Sequence, residues 1–199
     1  RQNHIRLREL AGAYGQSEFF IGSGLFDWQD EPKIEISSAK ATVLMEQVYP
    51  LISTMESPGK WLKKSDSVKG RVSIHSLTMK GPLKTPAAWQ YQADLQVEKL
   101  FLNAVFLPGP LKAQKARVNV STGGIRINNA EIRILDADFS MAGKLAGPIK
   151  DLKRFETTLS GTLGSQGMQY LYETLELPEG FLLKTPLTVQ SGRALWEKD

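Results

Sequence analysis

The segment Trp89-Gln90-Tyr91-Gln92-Ala93-Asp94-Leu95-Gln96-Val97-Glu98 decides the fold class. Trp89, Tyr91, Ala93, Leu95 and Val97 alternate without a break with Gln90, Gln92, Asp94, Gln96 and Glu98. Successive side chains of a β-strand point to opposite faces, so this segment has one apolar face and one fully polar face. The pattern recurs on both sides of it. Phe19 and Ile21, Ile34 and Ile36, and Val72 and Ile74 carry it upstream. Val118 and Val120, Ile125 and Ile127, Ile132 and Ile134, then Phe139, Met141 and Leu145, and finally Phe155 and Leu159 carry it downstream. Gly22-Ser23-Gly24, Gly81-Pro82, Gly123-Gly124, Asn128-Asn129 and Gly147-Pro148 punctuate these runs and are expected to be turns. Clean alternation favours antiparallel strands with one wet face over a buried parallel sheet. The expected class is mostly β.

Two stretches read as helices. From Ser38 to Met55, the residues Val43, Leu44, Val48, Leu51, Ile52 and Met55 have helical spacing, with serines as caps at the start and Pro50 as an internal kink. From Ser165 to Leu175, the residues Met168, Leu171, Tyr172 and Leu175 share one helical face, closed by Pro178 and Gly180.

The chain also repeats itself. Gly81-Pro82-Leu83-Lys84 is matched 66 residues later by Gly147-Pro148-Ile149-Lys150. Trp89 follows Pro82 by seven positions, and Phe155 follows Pro148 by seven. Leu107-Pro108-Gly109-Pro110-Leu111 is echoed by Leu177-Pro178-Glu179-Gly180-Phe181-Leu182, 70 residues on. Hairpins repeated in series predict a curved, groove-like sheet that grows by adding copies. The bland reading is two unrelated hairpins with common turn chemistry. The expected organisation is one β-rich segment over 1–199. It divides weakly into a hairpin plus helix (1–69) and a part with two repeat units (70–199), near 70–120 and 130–199.

Composition narrows the function. The 199 residues are 41% hydrophobic, enough for a real core, and hold 25 basic against 21 acidic side chains. A net charge of +4, scattered along the chain, does not announce a nucleic-acid partner. Without cysteine there is no disulfide framework, thiolate zinc site or cysteine nucleophile. No apolar run reaches the length of a membrane span. The sequence opens at Arg1 without methionine or signal peptide and reads as a segment of a longer protein.

The sequence resembles the AsmA-like family, relatives of TamB and of the bridge-like lipid transfer proteins. Four segments carry the likeness: Ile5–Gly12 followed by Gly22-Ser23-Gly24; Gly70–Val97 with its Gly-Pro-Leu hairpin; Ala116–Gly147; and Leu177-Pro178 with the run to Trp196. These are patterns of apolar, Gly and Pro positions spread over most of the chain. Two features depart from the family: the membrane anchor is absent, and the helical Ser38–Met55 stretch has no obvious counterpart. The resemblance implies a periplasmic segment tethered to the inner membrane and built from strands curved into a groove. It also implies a part in phospholipid transport between membranes or in outer-membrane biogenesis and integrity, with phospholipid acyl chains as ligands and envelope proteins as possible partners.

The expected acyl-binding surface is Trp89, Tyr91, Leu95 and Val97, with Ile125, Ile127, Ile132 and Ile134, and with Phe139, Met141, Phe155 and Leu159. The alternative is that these side chains fill an ordinary closed core, in a β-sandwich that binds a partner protein by strand addition. Lys60, Lys63 and Lys64, beside Trp61, and Lys112, Lys115 and Arg117 are either solvated loops or contacts to an anionic membrane surface. Catalytic chemistry is not expected. His4 and His75 lack a second histidine at metal-ligand spacing. Asp136 and Asp138 read as the solvated side of one strand and not as an acid–base pair. Gly22-Ser23-Gly24 lacks the rest of a dinucleotide loop, and Asn119-Val120-Ser121 is a chance sequon. The reading is non-enzymatic, with no cofactor and no metal.

Overall fold

The computed structural model describes residues 3–29, 31–53, 65–85, 88–147, 153–176 and 186–198. Ten strands follow one another: β1 (His4–Tyr14), β2 (Ser17–Asp27), β3 (Lys33–Leu44), β4 (Ser65–Pro82) and β5 (Gln90–Ala104). Then come β6 (Leu111–Ser121), β7 (Gly124–Ile134), β8 (Ala137–Ala146), β9 (Arg154–Leu163) and β10 (Leu187–Glu197). They form a single sheet in chain order, every pairing antiparallel, with β1 and β10 as its edges. The mostly-β class and the hairpins in series are as the alternation implies. No second sheet packs on this one among the described residues, so the sandwich form of the alternative reading is not what these strands build. The 69/70 division falls inside β4, and the sheet runs straight across it.

The strands do not keep a strict period of two. In β2, β3, β4 and β7 the apolar face steps by three, from Ile21 to Gly24, Ile36 to Ala39, Ile74 to Leu77, and Ile127 to Ala130, each at a register shift. β10 does the same between Val189 and Gly192. Glu9 in β1 has a left-handed backbone (φ 51°) at the matching place, and Lys99 in β5 (φ 50°) has one opposite a further shift at Gly70 of β4. A bulge adds one residue, bends its strand and increases the local twist. Because the bulges of β1–β4 lie side by side, they bend the sheet as a unit into one open curve.

This geometry corrects three expected turns. Gly81-Pro82 is the end of β4, paired with Ile34 and Lys33 of β3, and the turn follows it at Leu83-Lys84. Gly22-Ser23-Gly24 and Asn128-Asn129 are bulges inside β2 and β7. The reversals occur instead at Gly15-Gln16, with Gly15 at φ 62°, and at Leu135-Asp136, with Leu135 at φ 53°. The predicted Ser38–Met55 helix is corrected as well. Ser38–Leu44 belongs to β3, and the helix α1 spans only Met45–Ser53, with Pro50 inside it. Ala39, Ala41 and Val43 pair with Leu77, Ile74 and Val72 of β4, and that ladder outweighs helical spacing in a stretch holding Thr42 and Val43.

α1 is pinned by polar contacts at one end of the sheet. The Glu46 carboxylate accepts from the Gly70 amide (3.1 Å), and the Tyr49 hydroxyl donates to the Ser65 carbonyl (2.7 Å). Gln47 accepts from the Gln16 amide and the Ser17 hydroxyl, both at 3.0 Å.

The second helix, α2, spans Ser165–Leu175, as predicted. It lays Met168, Leu171 and Tyr172 against Ala137, Phe139, Leu163 and Val189. Its own N-terminal Gly164 offers no side-chain cap. Asp136, in the β7–β8 turn, supplies one: its carboxylate accepts from the amides of Gln166 (2.9 Å) and Gly167 (2.8 Å) and from the Ser165 hydroxyl (3.4 Å). The Gln166 and Gly167 amides hold this carboxyl below the usual aspartate range. Asp136 and Asp138 therefore do not share a strand face. Asp138 instead pairs across the hairpin with Arg133, through two contacts of 2.6 and 2.8 Å. Arg154, Glu156, Arg193 and Glu197 form a further exposed network on the outward side of β9 and β10. Exposed pairs of this kind add little stability. Among the described residues no helix is long and apolar enough to cross a membrane.

Two outcomes test this fold. Gly124 (φ 140°) opens β7, and a Cβ there would run into the Leu145 carbonyl, whereas a Cβ on Gly123 meets only the Ser121 hydroxyl at 3.8 Å. Gly124→Ala should cost about 2 kcal/mol or more in urea unfolding, and Gly123→Ala under about 0.5 kcal/mol; equal costs would refute the register. Asp136 has a folded pKa below its unfolded value, so its contribution is fully present above about pH 4 and is lost as pH falls through the folded value. The protection of the Met168–Tyr172 amides against exchange, relative to the unfolded chain at the same pH, should fall on acidification below that point, and Asp136→Asn should remove this pH dependence.

Candidate functional site: an uncovered apolar trough

The registers join the strands into rows that cross the whole sheet. In one row, Leu10 pairs Ile21, Ile21 pairs Ala39, Ala39 pairs Leu77, and Leu77 pairs Ala93. The row goes on through Val120, Ile125, Leu145 and Phe155 to Trp196. Directly paired residues of an antiparallel sheet lie on the same side, so ten apolar residues from ten strands form one unbroken line. A parallel row runs Val43, Val72, Val97, Ala116, Ala130, Met141 and Leu159. The bulges make this continuity possible. Without the extra residue at Asn128–Asn129, Ile125 and Ile127 would face away from Ile132 and Ile134.

This side is crowded but, among the described residues, largely uncovered. Ala113, Ala116 and Ala130 are 3–7% exposed, although no second sheet lies over them among the described residues. Ala142, which points outward from β8, keeps more contact with water. A flat single layer would wet both sides alike, so the sheet curls toward its apolar side and its neighbouring strands crowd the small residues. Most of the larger residues of this face stay half-buried, with Ile36, Val68 and Leu163 as buried exceptions, and among the described residues no large side chain is fully buried. The chain exposes 13644 Å², against about 9,300 Å² for a compact monomer of its mass. A closed core would hide much of that difference. Toward the two edges the same face is wetter still, with Leu10 at 44% and Trp196 at 48%.

All the expected surface residues of β5, β7, β8 and β9 fall on this face, including Tyr91, Leu95 and Val97 of β5. Two expected residues are engaged within the chain. Phe139 packs beneath α2. Trp89 donates its indole N–H to the Pro82 carbonyl (2.6 Å), and its ring lies against Gly81, where a Cβ would have no room. Tyr91 continues toward Met79, Ile36 and Gly24.

The sequence reading left out the upstream half of the face. Leu7, Leu10, Ile21, Ile36, Val72, Ile74, Leu77 and Met79 all stand on it. Their alternation was visible, but the steps of three hid that they share a side with β5 and β7. Lys60, Lys63 and Lys64 lie outside the described residues. Lys112, Lys115 and Arg117 are on the outward side, with Lys115 opposite Glu98 and Glu131. That places them on solvated strands and not in a loop.

The outward side holds little chemistry. Two open depressions, of about 750 and 610 Å³, are rimmed by Glu18, Lys40 and His75 and by Glu35, Lys80 and Gln92. His75 is exposed beside the β4 bulge. Among the described residues no group of three or more His, Asp or Glu side chains stands close enough to hold a metal. Comparison with protein-family models, with curated proteins and with solved structures finds no match to this chain.

Proposed function

We propose that this chain is a lipid-binding groove segment without catalytic activity, in which the curled apolar face accepts phospholipid acyl chains. One observation carries the reading: an apolar row spans all ten strands and no layer among the described residues covers it. Moving a 16-carbon tail from water into hydrocarbon surroundings gains roughly 12 kcal/mol, at about 0.8 kcal/mol per CH₂. A strand of about ten residues runs roughly 33 Å, longer than such a tail when extended. An open trough takes the tail and leaves a charged headgroup in water, which avoids a large desolvation cost.

In an organism with two membranes, such a segment serves phospholipid movement between them or upkeep of the outer one. The periplasm, with a tether to the inner membrane, is the compartment this role asks for. Strand addition by an envelope protein is a second reading, supported by the two edges, β1 and β10, whose outer sides pair with no described strand. The groove reading explains more, because an edge needs backbone groups and not an apolar line ten strands wide.

The two sides of one strand provide the test. Met141→Lys places an unpaired charge in the trough and should weaken binding of a fluorescent acyl probe at least tenfold, with the circular dichroism spectrum unchanged. Ser140→Lys, one residue away on the outward side, should leave binding within twofold. Equal effects at the two positions, or no probe binding by the unmodified chain, would overturn the reading.

A further inference from the structure

The inner side of α2 carries a group that packing does not explain. Tyr172 is 9% exposed within the cluster of Ala137, Leu163 and Met168. Its phenolic oxygen is buried and, among the described residues, has no hydrogen-bond partner. Every other buried polar side-chain atom there is satisfied. Phenylalanine would fill the same space without leaving a donor stranded, since buried hydroxyls are stabilising only when paired. The hydroxyl sits where α2 closes over the trough, at the Ala137 end of β8.

The surroundings define the missing partner. The cluster is made of apolar side chains, so a buried carboxylate or phosphate would lack a cation to balance it. A neutral acceptor attached to hydrocarbon meets both demands. An ester carbonyl is such an acceptor, and it is bonded directly to an acyl chain.

We infer that Tyr172 donates a hydrogen bond to the ester carbonyl oxygen of an acyl lipid whose tail lies in the trough. This rests on the groove reading above and adds a polarity to it. α2 marks the ester end of the ligand, the hydrocarbon runs away from it along Phe139 and Met141, and the charged headgroup leaves past the helix into water. The oxygen is closed to solvent in the empty chain, so lipid entry lifts the Tyr172 turn of α2 from the sheet. The start of the helix stays tied by Asp136.

The experiment compares a headgroup-labelled diacyl phosphatidylcholine with its dialkyl ether analogue, which lacks both carbonyls, by fluorescence anisotropy on the whole chain. The expected result is that the ester lipid binds roughly 3- to 10-fold more tightly than the ether. Tyr172→Phe should bind the ester no better than the ether and leave ether affinity unchanged. Its melting temperature should be equal or higher, because the unpaired hydroxyl is gone. If both chains bind ester and ether alike, the Tyr172 assignment falls while the groove reading stands. If neither lipid binds the unmodified chain, the groove reading falls and takes this inference with it. A free fatty acid that loses more affinity than the diester on Tyr172→Phe would also overturn the assignment, in favour of a carboxyl oxygen.

Discussion

One constraint governs this molecule: a sheet one layer thick must keep its apolar side in phase across ten strands while it bends. A slip of one residue in any strand would turn that strand's apolar set outward and cut the line from Leu10 to Trp196. A bend needs extra residues, and extra residues threaten the phase. The chain meets both demands by placing bulges on neighbouring strands at matching rows, so that Ile21, Ala39 and Leu77 remain partners although each belongs to a strand that has gained a residue.

Side-chain size follows from the same geometry. On the inside of a curve, side chains converge, and only small ones fit where the crowding is greatest. Ala93, Ala113, Ala116 and Ala130 occupy such places on the central strands, each of them buried. Isoleucine, leucine and valine stand between them, most of them half-buried. The helices enter only at the rims. α1 is fastened by Glu46, Gln47 and Tyr49, and α2 by the Asp136 carboxylate and one apolar side. Both leave the middle of the face open.

Much of this could be read from residue order, because alternation at Trp89–Val97 reflects a local property, the direction of successive side chains. The class, the antiparallel pairing and the side taken by Tyr91, Leu95, Val97, Ile125 and Met141 follow from it. What could not be read depends on other strands. Asn128-Asn129 looks like a turn because both residues favour turns, yet β6 and β8 on either side hold it as a bulge. Ser38–Leu44 has helical spacing, but β4 supplies a ladder that no local count reveals. Asp136 caps a helix that begins 29 residues later, and nothing near it in sequence signals that.

The order of the strands bears on how the molecule is assembled and dismantled. Among the described residues each strand hydrogen-bonds only with those before and after it in the chain, so nearly every ladder contact joins residues a hairpin apart. Closing a short loop costs little entropy, and ladders of local contacts form quickly. Stability then belongs to successive interfaces and not to a shared centre, as in other linear arrays. Such a molecule can fray from β1 or β10 while its middle holds, and its length can change by a hairpin at either margin without rebuilding the remainder.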